Sequence, residues 1–169
     1  METALTLSLG GFPPFSARGC TQKLTPLQLG QFFRTIDGQL IHTHPGLEKK
    51  YHTLINCSDQ TPPATDHLVP GCLVTVGCIQ RIWQKWDGKS IISLEKIPIA
   101  NSIMVMDQNR SIIPVASQNL TQINVQDQES EKTGFISYRP LLSMRLIRYV
   151  LTTKEWDLSV SWEMELEEV

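Results

Sequence analysis

Trp156-Asp157-Leu158-Ser159-Val160-Ser161-Trp162-Glu163-Met164-Glu165-Leu166-Glu167 alternates apolar and polar residues without a break. A period of two is the signature of a β-strand with one face buried and the other in water. Upstream, Leu142, Met144, Leu146 and Val150 keep the same alternation, interrupted at Arg148, and Thr152-Thr153-Lys154-Glu155 is a polar turn between the two runs. The pair predicts a β-hairpin over residues 141–168 with Trp156 and Trp162 together on its apolar face. Arg145 falls on the outward face of the first strand, opposite an acidic outward face on the second, so cross-strand charge pairing is available.

The same logic extends outward along the chain. Asp37-Gly38, between Phe33–Ile36 and Gln39–His42, reads as a type I′ hairpin turn, and Gln108-Asn109 as a turn between Ile103–Met106 and Ile112–Val115. Leu54–Cys57, Leu73–Ile82, Ile91–Leu94, Ile123–Val125 and Phe135–Tyr138 are further strands set off by Gly, Pro, Asn and Asp. Met1–Leu9 alternates as a first strand and lacks the basic start and apolar run of a secretion signal. Thr25-Pro26-Leu27-Gln28 carries a capping-box pattern for one short helix, curtailed by Gly30 and Phe32-Phe33. We therefore expect an all-β chain, a β-sandwich or barrel with a long C-terminal hairpin and at most one short helix. No repeat or composition break divides it, so residues 1–169 are read as one β domain with an N-terminal arm over about 1–23 and a Pro-containing loop over 58–70.

Composition narrows the function classes. The chain has 169 residues, 41% of them hydrophobic, enough for a substantial core. Its 15 basic and 17 acidic residues give a net charge of −2 with no basic cluster, so no nucleic-acid partner is expected. No apolar run approaches the roughly 20 residues of a membrane-spanning helix, and no membrane partner is expected. Charged residues make up 19%, below the roughly 25% usual for soluble domains, which suggests that something other than charge covers part of the surface.

Chemical signals are sparse. His42 and His44 would share a strand face, with His52 and His67 near in sequence, but no acidic or thiol partner stands at metal-ligand spacing, and ordinary loop histidines are the plainer reading. Cys20, Cys57, Cys72 and Cys78 have no CxxC spacing, and reduced, core-filling thiols are the default. On a continuous Leu73–Ile82 strand, Cys72 and Cys78 would lie roughly 20 Å apart, beyond disulfide reach. Any disulfide is expected to involve Cys57, on a strand beside the Cys72–Cys78 strand, or Cys20. The carboxylates Glu163, Glu165, Glu167 and Glu168 are too regularly spaced for a tuned acid–base pair and read as a solvated face or a docking surface for a basic partner. No nucleophile elbow, P-loop, metalloprotease or dinucleotide fingerprint occurs, so catalysis, a cofactor and a metal are not expected. The sequons at Asn56 and Asn119 carry little weight without a secretion signal.

Two segments suit contact with other chains. Phe12-Pro13-Pro14-Phe15 is held extended by its prolines. Ser111–Gln126 contains no charge and leads into the polar Asp127–Lys132 loop. With the acidic strand, these nominate Phe12, Pro13, Pro14, Phe15, Gln118, Asn119, Gln122, Glu163, Glu165 and Glu167 as interface residues.

Short motifs scattered over nearly the whole chain resemble a group of small virion structural proteins from the tail modules of tailed bacteriophages. They are Arg18-Gly19-Cys20-Thr21-Gln22, Arg34-Thr35-Ile36-Asp37-Gly38, Ile55-Asn56-Cys57-Ser58-Asp59-Gln60 with Pro62-Pro63-Ala64, and Gly71 with Val74-Thr75-Val76 and Cys78. Tyr138-Arg139-Pro140, Trp156-Asp157 and the Trp162–Val169 ending complete the set. The resemblance implies a virion subunit, in tail or baseplate, assembled in the host cytoplasm into a ring or other symmetric homo-oligomer with further virion proteins as partners. It carries over no catalytic residues. The competing class is a β-sandwich binding module for a glycan or small ligand, with Trp83, Trp86 and the Trp156/Trp162 strand as an aromatic platform.

Overall fold

The computed structural model describes residues 3–28, 30–43, 48–125, 133–157 and 159–169. Met1, Glu2, His44, Gln126, the 127–132 loop and Leu158, all used in the sequence reading, lie outside the described residues. Fifteen strands follow in order among the described residues: β1 (Thr6–Leu7), β2 (Thr21–Pro26), β3 (Gln31–Arg34), β4 (Leu40–Thr43), β5 (Tyr51–Asp59), β6 (Leu73–Gly77), β7 (Ile82–Trp86), β8 (Ile91–Ser93), β9 (Met104–Asp107), β10 (Ile112–Ile113), β11 (Val115–Asn119), β12 (Gln122–Val125), β13 (Gly134–Tyr138), β14 (Leu141–Lys154) and β15 (Ser159–Glu168). The chain is all-β, every strand pairing is antiparallel, and no helix occurs among the described residues.

The hairpin β14–β15 occupies the middle of a curled six-stranded sheet, ordered β1-β6-β14-β15-β5-β2. Its inner face carries Val74, Val76, Leu142, Met144, Leu146, Trp162, Met164, Leu166, Ile55 and Cys57, all buried. Leu5, Ala17, Leu68 and Cys78, from segments outside the strands, cover that face. A second cluster, around Trp86, Val105, Ile113, Ile123, Ile136 and Tyr138, fills the space between the four-stranded sheet β10-β9-β13-β7 and the three-stranded sheet β11-β12-β8. Ile82 packs against both clusters. A largely buried ion pair ties the two regions, with Lys96 Nζ 2.5 Å from Glu168 Oε1 while Tyr51 N donates to Glu168 Oε2 at 2.9 Å.

Several local expectations are corrected by pairing. Lys154 pairs with Ser159, so the hairpin turns later than the polar run suggests, and Trp156 sits in the turn at 95% exposure instead of joining Trp162 in the core. A bulge between Leu146 and Arg148 switches the faces of β14, turning Arg148 and Val150 outward and Tyr149 inward. Thr25-Pro26 starts no helix. It ends strand β2, which gains a ladder on the free edge of β5, and Pro26 sits at an edge position needing no N–H. The strand expected over Leu73–Ile82 breaks after Gly77, where Gln22 Oε1 accepts from Ile79 N (2.7 Å) and Gln80 N (3.0 Å) and the chain crosses to the other sheet. The run expected over Ile112–Val115 splits at Pro114, which has no donor, into β10 and β11 of different sheets. The first strand is confined to Thr6–Leu7 among the described residues.

Asp37-Gly38 does make a hairpin, by a different turn. Thr35 N donates to Gln39 O and Gly38 N to Thr35 O, both 2.9 Å, and Gly38 alone of the two turn residues has positive φ, at +81°. That is a three-residue loop, a type I turn followed by a left-handed residue, and not type I′. Arg110, with φ +66°, takes the equivalent position after Gln108-Asn109.

Candidate assembly surfaces

The hairpin β3–β4 pairs with no other described strand. All eight residues of its two strands are exposed. Its pairs Phe32↔His42 and Phe33↔Ile41 place apolar side chains on opposite faces, and Phe32, Phe33, Ile36, Leu40 and Ile41 are 46–106% exposed. Phe32 stacks on His42, ring centroids 4.3 Å apart. Isolated two-stranded hairpins are at best marginally stable in water, because they cannot bury either face. Here both faces carry apolar residues that the rest of the described chain leaves uncovered.

A second apolar surface lies on the outer face of the four-stranded sheet. The register aligns Ile112, Met106, Phe135 and Lys85 in one row across β10, β9, β13 and β7, and Met104, Ser137 and Trp83 in the next. Ile112, Phe135 and Trp83 are all at least half exposed. Gly134 opens β13 at a close approach, since a Cβ there would stand 2.0 Å from Met106 O.

The residues nominated from sequence fall into three separate places. Phe12, half-buried, stacks against Trp162 with ring centroids 5.8 Å apart. Trp162 Nε1 donates to Ser16 O at 2.8 Å, and Gly11 bridges Ala64. The segment thus lies against its own core, with Pro14 and Phe15 exposed. Phe15 stays outside, under the Arg18 guanidinium at 4.5 Å. That guanidinium also holds Asp59 at 2.6 Å, which lowers the Asp59 carboxyl to about 2. Gln118 and Asn119 are exposed on the edge strand β11, with Gln122 opposite Asn119 on β12.

Glu163, Glu165 and Glu167 line the outward face of β15, on the side of the sheet away from Phe12. Arg148 pairs with Glu163 and, at 3.5 Å, with Glu165, and His52 Nε2 lies 3.0 Å from Glu165 Oε1. Arg148 thus partly neutralises the acidic run within the sheet itself. Beside it, Thr21, Asn56, Ser58, Ser161, Arg148 and Glu163 line an open cleft of about 570 Å³.

The aromatic platform does not form, because the four tryptophans are dispersed. Trp86 and Trp162 are core, Trp86 donating from Nε1 to Lys89 O at 2.8 Å, while Trp83 lies on β7 and Trp156 at the hairpin tip. Among the described residues no three His, Cys, Asp or Glu side chains are grouped to hold a metal ion. Cys57 is not beside the Cys72–Cys78 strand, since β14 and β15 separate β5 from β6.

The sequence reading missed β3–β4 as an exposed element. Its signal was present: adjacent apolar pairs, Phe32-Phe33 and Leu40-Ile41, cannot all face one core in strands of period two. Comparison of the chain with family models, with curated proteins and with solved structures finds no match.

Proposed function

We propose that this chain is a structural subunit of a bacteriophage virion, in the tail or baseplate, assembling through contacts with copies of itself and with neighbouring virion proteins. The observation that carries the reading is the β3–β4 hairpin, with apolar residues exposed on both faces. Exposed apolar surface of this kind marks interaction sites, and a strand pair too small to stabilise itself gains its missing packing from a partner. The row of Ile112, Met106 and Phe135, with Trp83 beside it, offers a second apolar sheet face, and head-to-tail contacts between unlike surfaces make a ring when the rotation between copies closes. The motif resemblance over nearly the whole chain points the same way. Pro14, Phe15, Gln118, Asn119, Gln122 and Glu167, all exposed, are further contacts in this reading.

Native mass spectrometry of the purified chain tests it, with a discrete closed oligomer expected for the wild type and a monomer for Phe33→Asp/Ile41→Asp. A wild type that stays monomeric at high concentration, together with normal tails on virions lacking the gene, overturns the proposal.

A further inference from the structure

Two thiols face each other at the rim of the six-stranded sheet. The β2–β5 ladder ends on Thr21 opposite Asn56, and continuing its register by one residue brings Cys20, just before β2, opposite Cys57. Which class of antiparallel pair this is follows from the ladder. Leu27 N donates to Lys50 O at 2.7 Å, which makes that pair, and every second pair along the ladder to Thr21–Asn56, hydrogen-bonded. The intervening pairs are not hydrogen-bonded, and Pro26–Tyr51 is one of them, as a residue without an N–H requires. Continued by one residue, the alternation puts Cys20 and Cys57 in this second class, in which opposed Cα atoms lie about 4.5 Å apart and the side chains are closest. Disulfides span Cα separations of about 4.4–6.8 Å.

The side chains agree with the backbone. Cys57 points into the core on the same face as Ile55, and half-buried Cys20 packs against the same core cluster, near enough that each thiol shifts the other. Cys20 Sγ lies 3.2 Å from Ala17 O and Cys57 Sγ 3.5 Å from Arg18 O, so the tight turn at Ala17–Gly19 holds both in place. Cys72 and Cys78 have no such arrangement, flanking the extended β6 on the far side of β14 and β15.

We propose that Cys20 and Cys57 are a dithiol that closes to a disulfide when the chain meets a low-molecular-weight disulfide. The Cys20 thiolate attacks one sulfur of R–S–S–R, forming a mixed disulfide and releasing one RS⁻. The Cys57 thiolate then attacks the Cys20 sulfur and expels the second RS⁻. Two protein thiols are oxidised, one small disulfide is reduced to two RSH, and the two protons pass from the cysteines to the released thiolates. Burial, then contact with Cys57, pushes the Cys20 thiol up to about 12, so the native chain reacts slowly at neutral pH although the product is well accommodated. The bond closes the chain segment that carries the β3–β4 hairpin and pins the edge strand from which that hairpin departs.

The test incubates the full chain with glutathione disulfide at pH 8.5 in two arms, one native and one refolding from urea so that access does not limit reaction, followed by thiol counting and non-reducing peptide mapping. Free thiols are expected to fall from four to two, with a Cys20–Cys57 linked peptide, Cys72 and Cys78 still free, and a raised thermal midpoint that dithiothreitol reverses. Cys20→Ser and Cys57→Ser should each lose the linked peptide and the reducible shift. The linked peptide in either arm supports the proposal. Four free thiols in both arms, or a bond involving Cys72 or Cys78 in its place, overturns it.

Discussion

Replacing Trp162 by alanine tests whether the C-terminal hairpin is the centre of the core. Trp162 is 2% exposed, stacks on Phe12 with ring centroids 5.8 Å apart, and donates from Nε1 to Ser16 O at 2.8 Å. Truncating a buried tryptophan costs about 3–5 kcal/mol through lost transfer energy and the cavity left behind. Ser16 is fully buried, so losing the indole donor strands its carbonyl and adds about 1–3 kcal/mol where no water enters. A total of about 4 kcal/mol or more is a large share of the roughly 5–15 kcal/mol that stabilises a domain. At a urea dependence near 2 kcal/mol per molar, the unfolding midpoint should fall by about 2 M. Trp156→Ala is the matched control, because that side chain is 95% exposed and its loss should stay within about 0.5 kcal/mol. Trp162→Phe should fall between the two, keeping the stack and losing the donor. Urea denaturation followed by far-ultraviolet circular dichroism measures all three. Equal midpoints for the two alanine variants, or the reverse order, would refute the placement of Trp162 and the turn assignment of Trp156 together.

Phe33→Asp/Ile41→Asp should leave the unfolding midpoint of the isolated chain within about 0.5 kcal/mol of wild type while abolishing the oligomer seen by native mass spectrometry. Lys96→Met should destabilise by about 3–5 kcal/mol, because Glu168 would stay buried without its cation, and adding Glu168→Gln should recover part of that loss in the same urea titration. Asp59 has its folded carboxyl lowered from 3.8 to about 2 by Arg18, so its contribution is present above the unfolded value and disappears as pH falls through the folded one. Asp59→Asn should accordingly be less stable than wild type at pH 7, with the gap closing between pH 4 and 2 in thermal melts at stepped pH.

The sequence by itself determined the fold class and the central hairpin, because an alternation as long as that of β15 can bury its apolar side in one way and a one-residue slip would reverse every side chain. It also marked most strand sites and placed turns at Asp37-Gly38 and Gln108-Asn109, where backbone conformation is a local matter. Tertiary structure decided whatever depended on a neighbouring strand. Thr25-Pro26 became strand because β5 offered an edge, Val150 turned outward because a bulge opposite Glu165 moved the register, and Trp156 left the core because Lys154 found Ser159 as its partner. The meeting of Cys20 with Cys57, the contacts of Glu165 with Arg148 and His52, and the exposure of β3–β4 belong to the same class. Each is a long-range pairing, and the free energy that selects it resides in the contact between two segments, where neither segment's own periodicity can specify it.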